Sequence, residues 1–261
     1  MKLHRLKALL LNHYYFSINS ADRMFDIFFW PILDVLIWGF MTFYIQNISE
    51  FNIVNTILGG VILWVFVWRT TQDLIVYLLE NYWSRNIYHL FVSPMRSSEL
   101  VTSLAILGLL RAVFSFGLLS LLSFLLYRFN IFTFNPWHLI PFIAILILVG
   151  WAIGLFICSL VIIFGSRIQV LAWSTIWIIQ PFSCVFYPLA ALPGWAQNIA
   201  RWLPTTQVFE GLRASLAGNS LNVPSLVYAF SLGIALLLLM SIVLHFSIRL
   251  AKKKGTFAKP E

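Results

Sequence analysis

Four charged residues, Asp34, Arg69, Asp73 and Arg111, sit deep within long apolar runs. A charge at the centre of a bilayer costs about 2.5–3.5 kcal/mol even on the mildest scales, so such residues pair, face a protein interior or line a path for polar cargo. Counted at about 1.5 Å per helical residue, Asp34, Arg69 and Arg111 reach similar depth, roughly 15–18 Å from one surface. Asp73 follows one turn from Arg69. The four form an intramembrane polar cluster of zero net charge, suited either to an ion-pair network between helices or to the lining of a substrate path. Trp64 with Trp68, and Trp173 with Trp177, are each one turn apart. Indoles exposed to a cavity can grip sugar rings or flat drug-like molecules, although helix packing and lipid contact are their commoner roles.

Motifs for covalent chemistry are absent. The chain has no G-x-x-x-x-G-K-[ST] phosphate loop, no H-E-x-x-H and no G-x-S-x-G. Its five histidines are scattered, and Cys158 and Cys184 lie in apolar segments without metal-ligand spacing. The reading is a protein that is not an enzyme, with no catalytic, cofactor-binding or metal-ligating residues of its own.

The elements that must hold the charges are set by hydropathy. Hydrophobic residues make up 61% of the chain and charged ones 10%, too apolar for a soluble domain of 261 residues. An integral membrane protein with a single transmembrane domain, residues 1–261, follows. Residues 1–20 form a basic amphipathic helix with Leu3, Leu6, Leu10 and Tyr14 on one side, suited to the lipid headgroup layer. These first residues lack the pattern of a cleavable signal peptide. Six transmembrane helices are expected, over about 24–45, 53–79, 100–127, 138–164, 169–187 and 223–249. Gly150 and Gly154 have the spacing that permits close helix contact, and Gln180-Pro181 should kink the fifth span. With both termini inside, inner segments hold twelve Lys and Arg against three outside, a strong positive-inside bias. The net charge of +8 therefore speaks for membrane topology and anionic lipid, not for nucleic acid.

Two polar stretches interrupt this pattern. In residues 80–97 a short amphipathic helix is expected, carrying Glu80 and Arg85 and setting Trp83, Ile87, Leu90 and Phe91 on one face until Pro94 stops it. In residues 188–222, Pro188 and Pro193 bracket a turn, and Trp195, Ile199 and Trp202 recur at helical spacing until Pro204. A second short helix then brings Glu210 and Arg213 within one turn.

The stretch Leu90-Phe-Val-Ser-Pro-Met-Arg-Ser-Ser-Glu-Leu100 resembles the cytoplasmic loop of ABC-2 type transporter permeases. The later segment, with its Tyr-Pro, Leu-Pro-x-Trp, Leu-Pro-Thr-Thr and Glu-Gly-Leu-Arg elements, closely resembles the region before the last span of that family. The chain departs from it at Asn86-Ile87-Tyr88, where many relatives carry Gly-Thr. The resemblance implies an all-α, six-helix fold with an N-terminal interfacial helix, a cytoplasmic coupling helix and an outer re-entrant hairpin. It also implies a role as the permease subunit of an ATP-driven exporter in the cytoplasmic membrane. Two copies of a separate ABC ATPase, which bind ATP and Mg, would dock beneath a pair of permeases, a homodimer in the simplest case. Glu80 to Pro94 would then couple to the ATPase, and Pro188 to Arg213 would form the external gate. Cargo in this family includes lipid, polysaccharide, peptide and drug-like molecules. Alternatives are a secondary transporter or channel, which calls for inverted repeats, and a membrane-embedded lipid-modifying enzyme, which calls for a convergent polar site at one interface.

Overall fold

A computed structural model describes residues 4, 5, 7–11, 15, 21–46, 53–84, 97–133 and 136–254. Among them the chain is all-α and forms no strand. The helices are α1 (Ala21–Gln46), α2 (Ile53–Trp83), α3 (Ser97–Tyr127), α4 (Pro136–Phe164), α5 (Gln169–Phe182), α6 (Gly194–Ala200), α7 (Pro204–Leu216) and α8 (Val223–Lys254). Five of these, α1 to α4 and α8, are long and apolar enough to cross a membrane. At 26 to 32 residues each, their length exceeds the roughly 30 Å hydrocarbon core. The chain is a multi-pass membrane protein.

α2 is the axis of the bundle. It packs against α1, α3, α4, α5 and α7, and nine tenths of its most apolar window is buried. Its close contact with α4 depends on the two glycines: a side chain at Gly150 would collide with Thr70 and crowd the Val67 backbone, and one at Gly154 would meet Leu74. The Thr71 hydroxyl donates to the Gly150 carbonyl at 2.8 Å, so the small residues buy a hydrogen bond as well as van der Waals contact. α8 lies along the other side of α4.

Apolar packing forms two clusters. One joins Val35, Leu58, Phe66, Phe142, Ile145 and Phe209. The other joins Leu74, Leu79, Leu100, Ile162, Leu244 and Ile248. The second lies at the end of the bundle that carries Arg5, Arg167, Arg249, Lys252 and Lys253, here called the basic end; the opposite end carries α6 and α7. Residues 7–11 are helical and rest on the second cluster through Leu9, while Arg5 lies 3.7 Å from buried Glu99 of α3. The buried leucine is thus Leu9, whereas Leu10 of the expected stripe is half-buried.

Two boundaries differ from the sequence reading. Glu80 to Trp83 complete the last turn of α2 instead of opening a separate amphipathic helix. Ser84 ends that turn, its amide and hydroxyl both donating to the Glu80 carbonyl at 2.9 and 2.7 Å. The expected fifth span stops at Phe182, leaving α5 with 14 residues. That is about 21 Å, short of a crossing. Pro181 lacks the amide that would continue the ladder and crowds the preceding turn, so the helix ends instead of bending. The freed carbonyls of Ile179 and Gln180 are taken by the Ser183 amide, and Cys184 turns the chain with a left-handed φ of 56°. Gly60 of α2 admits this turn, because a Cβ there would stand 2.6 Å from the Val185 carbonyl oxygen.

Candidate functional site

Each of the deep arginines takes a carboxylate from a neighbouring helix. Arg111 on α3 donates Nη1 to Asp73 Oδ1 on α2 at 2.6 Å, with both side chains buried. Gly108, one turn before Arg111, faces Thr70 and Asp73 of α2. Arg69 is 1% exposed and reaches Asp26 on α1, donating Nη1 to the carboxylate at 2.6 Å and Nη2 to the backbone carbonyl at 2.8 Å. The partner is therefore Asp26 and not Asp34, two turns further along α1. A long guanidinium stem can lean toward the basic end, where the pair costs less to desolvate. Asp34 is half-buried and makes no ion pair among the described residues.

Two adjoining cavities run beside these pairs. The first, of about 120 Å3, includes Trp30, Asp34, Trp38, Trp64, Gln180 and Phe186 in its wall. The second, of about 330 Å3, lies nearer the basic end and includes Asp26, Gln72, Asp73, Glu80, Arg111 and Trp173. Trp30, Trp68, Arg69 and Trp177 line both, which makes them one groove. Trp68 of α2 meets Trp177 of α5 edge to face at 5.4 Å, and Trp38 of α1 stacks on Phe186 at 3.7 Å. The groove thus brings together Asp34, Arg69, Asp73, Arg111 and both tryptophan pairs. Trp64 is mostly buried and lies 6.1 Å from Phe209 of α7.

Sequence reasoning missed Asp26, Trp30, Gln72 and the turn of Glu80 toward this groove. A signal was there. Asp26, Trp30, Asp34 and Trp38 recur every four residues on α1; Trp64, Trp68, Gln72, Val76 and Glu80 do so on α2; Trp173 and Trp177 do so on α5. Residues four apart share one face of a helix, so three helices each offer a polar and aromatic stripe to the same space.

The hairpin at the far end is built from its own side chains. Pro204, Thr205 and Thr206 are buried at the start of α7. Thr205 donates to Ser183 Oγ at 2.8 Å and Thr206 to the Phe182 carbonyl at 3.1 Å, which closes the broken end of α5. Glu210 Oε1 accepts from the Leu189 amide at 2.6 Å and from Arg213 at 2.9 Å. Gln197 donates to the Leu192 carbonyl at 2.8 Å. Unpaired backbone is thereby kept off the apolar phase. Ser183 was not singled out from sequence, whereas the Leu-Pro-Thr-Thr run already marked the start of the second short helix. α7 is held by Val208, Phe209 and Leu212, while α6 buries only Ala196 and Ala200. Trp195, Ile199 and Trp202 face outward, and Pro188 and Pro193 are exposed.

Of the expected coupling residues, Glu80 lines the groove and Trp83 donates Nε1 to Gln169 at 3.3 Å, tying α2 to α5. Arg85, Ile87, Leu90, Phe91 and Pro94 lie outside the described residues. Among the described residues no group of His, Cys, Asp and Glu could hold a metal. Compared with models of known families the chain matches none, and no curated protein matches it.

Proposed function

We propose that the chain is the membrane subunit of an ATP-driven exporter of the ABC-2 type and that the groove is its substrate path. The observation that carries this reading is the groove itself, with stripes of indole and charge along α1 and α2 and indoles on α5. Charges at membrane depth are costly unless they serve polar cargo or one another, and here they are combined with open space. The resemblance of residues 90–100 and 186–213 to ABC-2 permeases supplies the rest. On this reading both termini are cytoplasmic and the basic end faces the cytoplasm. The sixth crossing is made by α5 continued through its turn into the re-entrant hairpin, which gates the outer end. A second copy faces the groove, and two ATPase subunits bearing ATP and Mg dock on the segment through Leu90 and Phe91. ATP closes the ATPase pair, and the groove follows because the two states differ in their affinity for ATP.

Purification of the full chain from native membranes tests this. An ATPase subunit with a phosphate-loop motif should copurify, and Phe91→Asp should leave the chain inserted while abolishing ATP-dependent transport. A chain that transports with no ATPase attached would instead be a secondary transporter or channel.

A further inference from the structure

A second open space lies on the face of α2 turned away from the groove. α3 packs on α2 and α8 packs on α4, and a crevice remains where α3 and α8 face each other. Its mouth, of about 270 Å3, has Ser98 and Thr102 of α3 on one wall and Ser241 and His245 of α8 on the other. Behind the mouth is a recess of about 30 Å3, floored by Leu74 and Leu78 of α2 and by Cys158 and Ile162 of α4. Val101, Leu155, Leu244 and Ile248 line both, which makes mouth and recess one space.

Polarity is ordered along this crevice. Its floor is apolar, while each side of the mouth presents two polar side chains one helical turn apart. The Ser241 hydroxyl donates to the Leu237 carbonyl at 2.7 Å and keeps its oxygen as an acceptor, so the donors to a ligand are Ser98, Thr102 and the His245 ring. Toward the basic end α8 adds Arg249, Lys252 and Lys253, all exposed. The neighbouring acid does not cancel them, because Glu99 is 1% exposed and has Arg5 3.7 Å away. The mouth opens beside bilayer and not beside water: Ile242 and Phe246 next to it on α8 are 54% and 61% exposed. An occupant must therefore arrive through the apolar phase, with a tail for the floor, acceptors for the hydroxyls and negative charge for the end of α8.

From these features we propose that the crevice between α3 and α8 binds one anionic phospholipid of the leaflet at the basic end. An acyl chain lies against Leu74, Leu78 and Ile162, and the glycerol phosphate accepts from Ser98, Thr102 and His245 within reach of Arg249. Basic pockets between membrane helices are recognised sites for anionic headgroups. This lipid is a resident of the fold and not cargo, since the crevice and the groove use opposite faces of α2. It joins α3 to α8 by filling the gap between them, and its binding does not depend on an ATPase.

The test uses the full chain, purified in detergent and stripped of lipid. Dioleoyl-phosphatidylglycerol and dioleoyl-phosphatidylcholine, which share their tails, are titrated while bound lipid is counted by native mass spectrometry and melting is followed. Phosphatidylglycerol should bind about tenfold more tightly and raise the melting temperature. Arg249→Gln, at an exposed position, should weaken phosphatidylglycerol about fivefold and leave phosphatidylcholine unchanged. Arg167→Gln, on the turn between α4 and α5, removes an exposed cation away from the crevice and should change neither. Thr102→Trp and Ser241→Trp fill the mouth from opposite walls, and each should abolish the melting increment that phosphatidylglycerol gives the parent chain. The proposal is overturned if the two lipids bind alike, if Arg167→Gln weakens phosphatidylglycerol as much as Arg249→Gln, or if inorganic phosphate displaces the lipid. It is equally overturned if the tryptophan variants leave lipid binding intact and instead split a pair of chains, which would make the crevice a contact between copies.

Discussion

Buried charges in this chain are held in pairs, and the members of each pair are not interchangeable with nearby acids. Asp73 and Arg111 are both nearly inaccessible, so removing either breaks a buried ion pair. Such a loss is on the order of 3–5 kcal/mol. Asp73→Asn and Arg111→Gln should each lower thermal stability by that amount, and the double change should cost less than the sum. Additive effects in a double-mutant cycle would mean that the two side chains do not interact. Asp26 and Asp34 give a sharper contrast on one helix. Asp26→Asn strands Arg69 and should be destabilising, whereas Asp34→Asn breaks no ion pair and should cost under about 1 kcal/mol. Equal effects would restore Asp34 as the partner of Arg69.

At the scale of elements, the bundle depends on how closely α2 can approach its neighbours. At Gly150 the obstacle to a larger residue is partly the Thr70 hydroxyl, which can turn, and partly the Val67 carbonyl at 3.0 Å, which cannot. Gly150→Val should therefore push α4 from α2 and destabilise the protein by about 1–3 kcal/mol. Gly117 has open space around it, so Gly117→Ala should be neutral or slightly stabilising. A thermal shift assay in detergent compares the two, and equal shifts would remove the close-packing role of Gly150. Long elements of this kind were legible from the sequence because hydropathy and length decide them. So was the contact face of α4, through Gly150 and Gly154. The end of α5 was not, since a proline in a helix can either kink or terminate it, and the outcome is set by whether the Ser183 amide and the Thr206 hydroxyl are at hand to take the freed carbonyl groups. The groove was half legible. Each charged residue stood out against its apolar run, but pairing depends on helix tilt and side-chain reach, and these put Asp26 where Asp34 was expected. Asp26 lies close to the start of its helix, where a charge needs no explanation.

For the whole molecule, the question is what α6 meets. Its seven residues are too few to cross a bilayer; the Ala196 and Gln197 amides donate to the Pro193 carbonyl, and the Gln197, Ile199 and Ala200 carbonyls accept from the Arg201, Trp202 and Leu203 amides. The hairpin is thus already satisfied within one chain, and its fixed side, α7, is anchored on α4 and α8. Trp195, Ile199 and Trp202 are 63%, 48% and 72% exposed, an apolar stripe too large to be left in water. Lipid headgroups would suit the indoles, and a second copy across the outer end of the groove would suit the proposed gate. The two differ in whether the stripe responds to nucleotide. Cys158 and Cys184 are buried and are first replaced by serine. Single cysteines at Asn198 and Trp202, both exposed, should then react with an external thiol reagent in the resting complex and become protected or more reactive when ATP is trapped on the ATPase. A cysteine at Ala200, which is fully buried against the chain itself, should stay silent in both states and report that the helix has not come loose. Labelling at Asn198 and Trp202 that ignores nucleotide would make α6 an interfacial anchor, and the outer closure of the groove would then have to come from elsewhere.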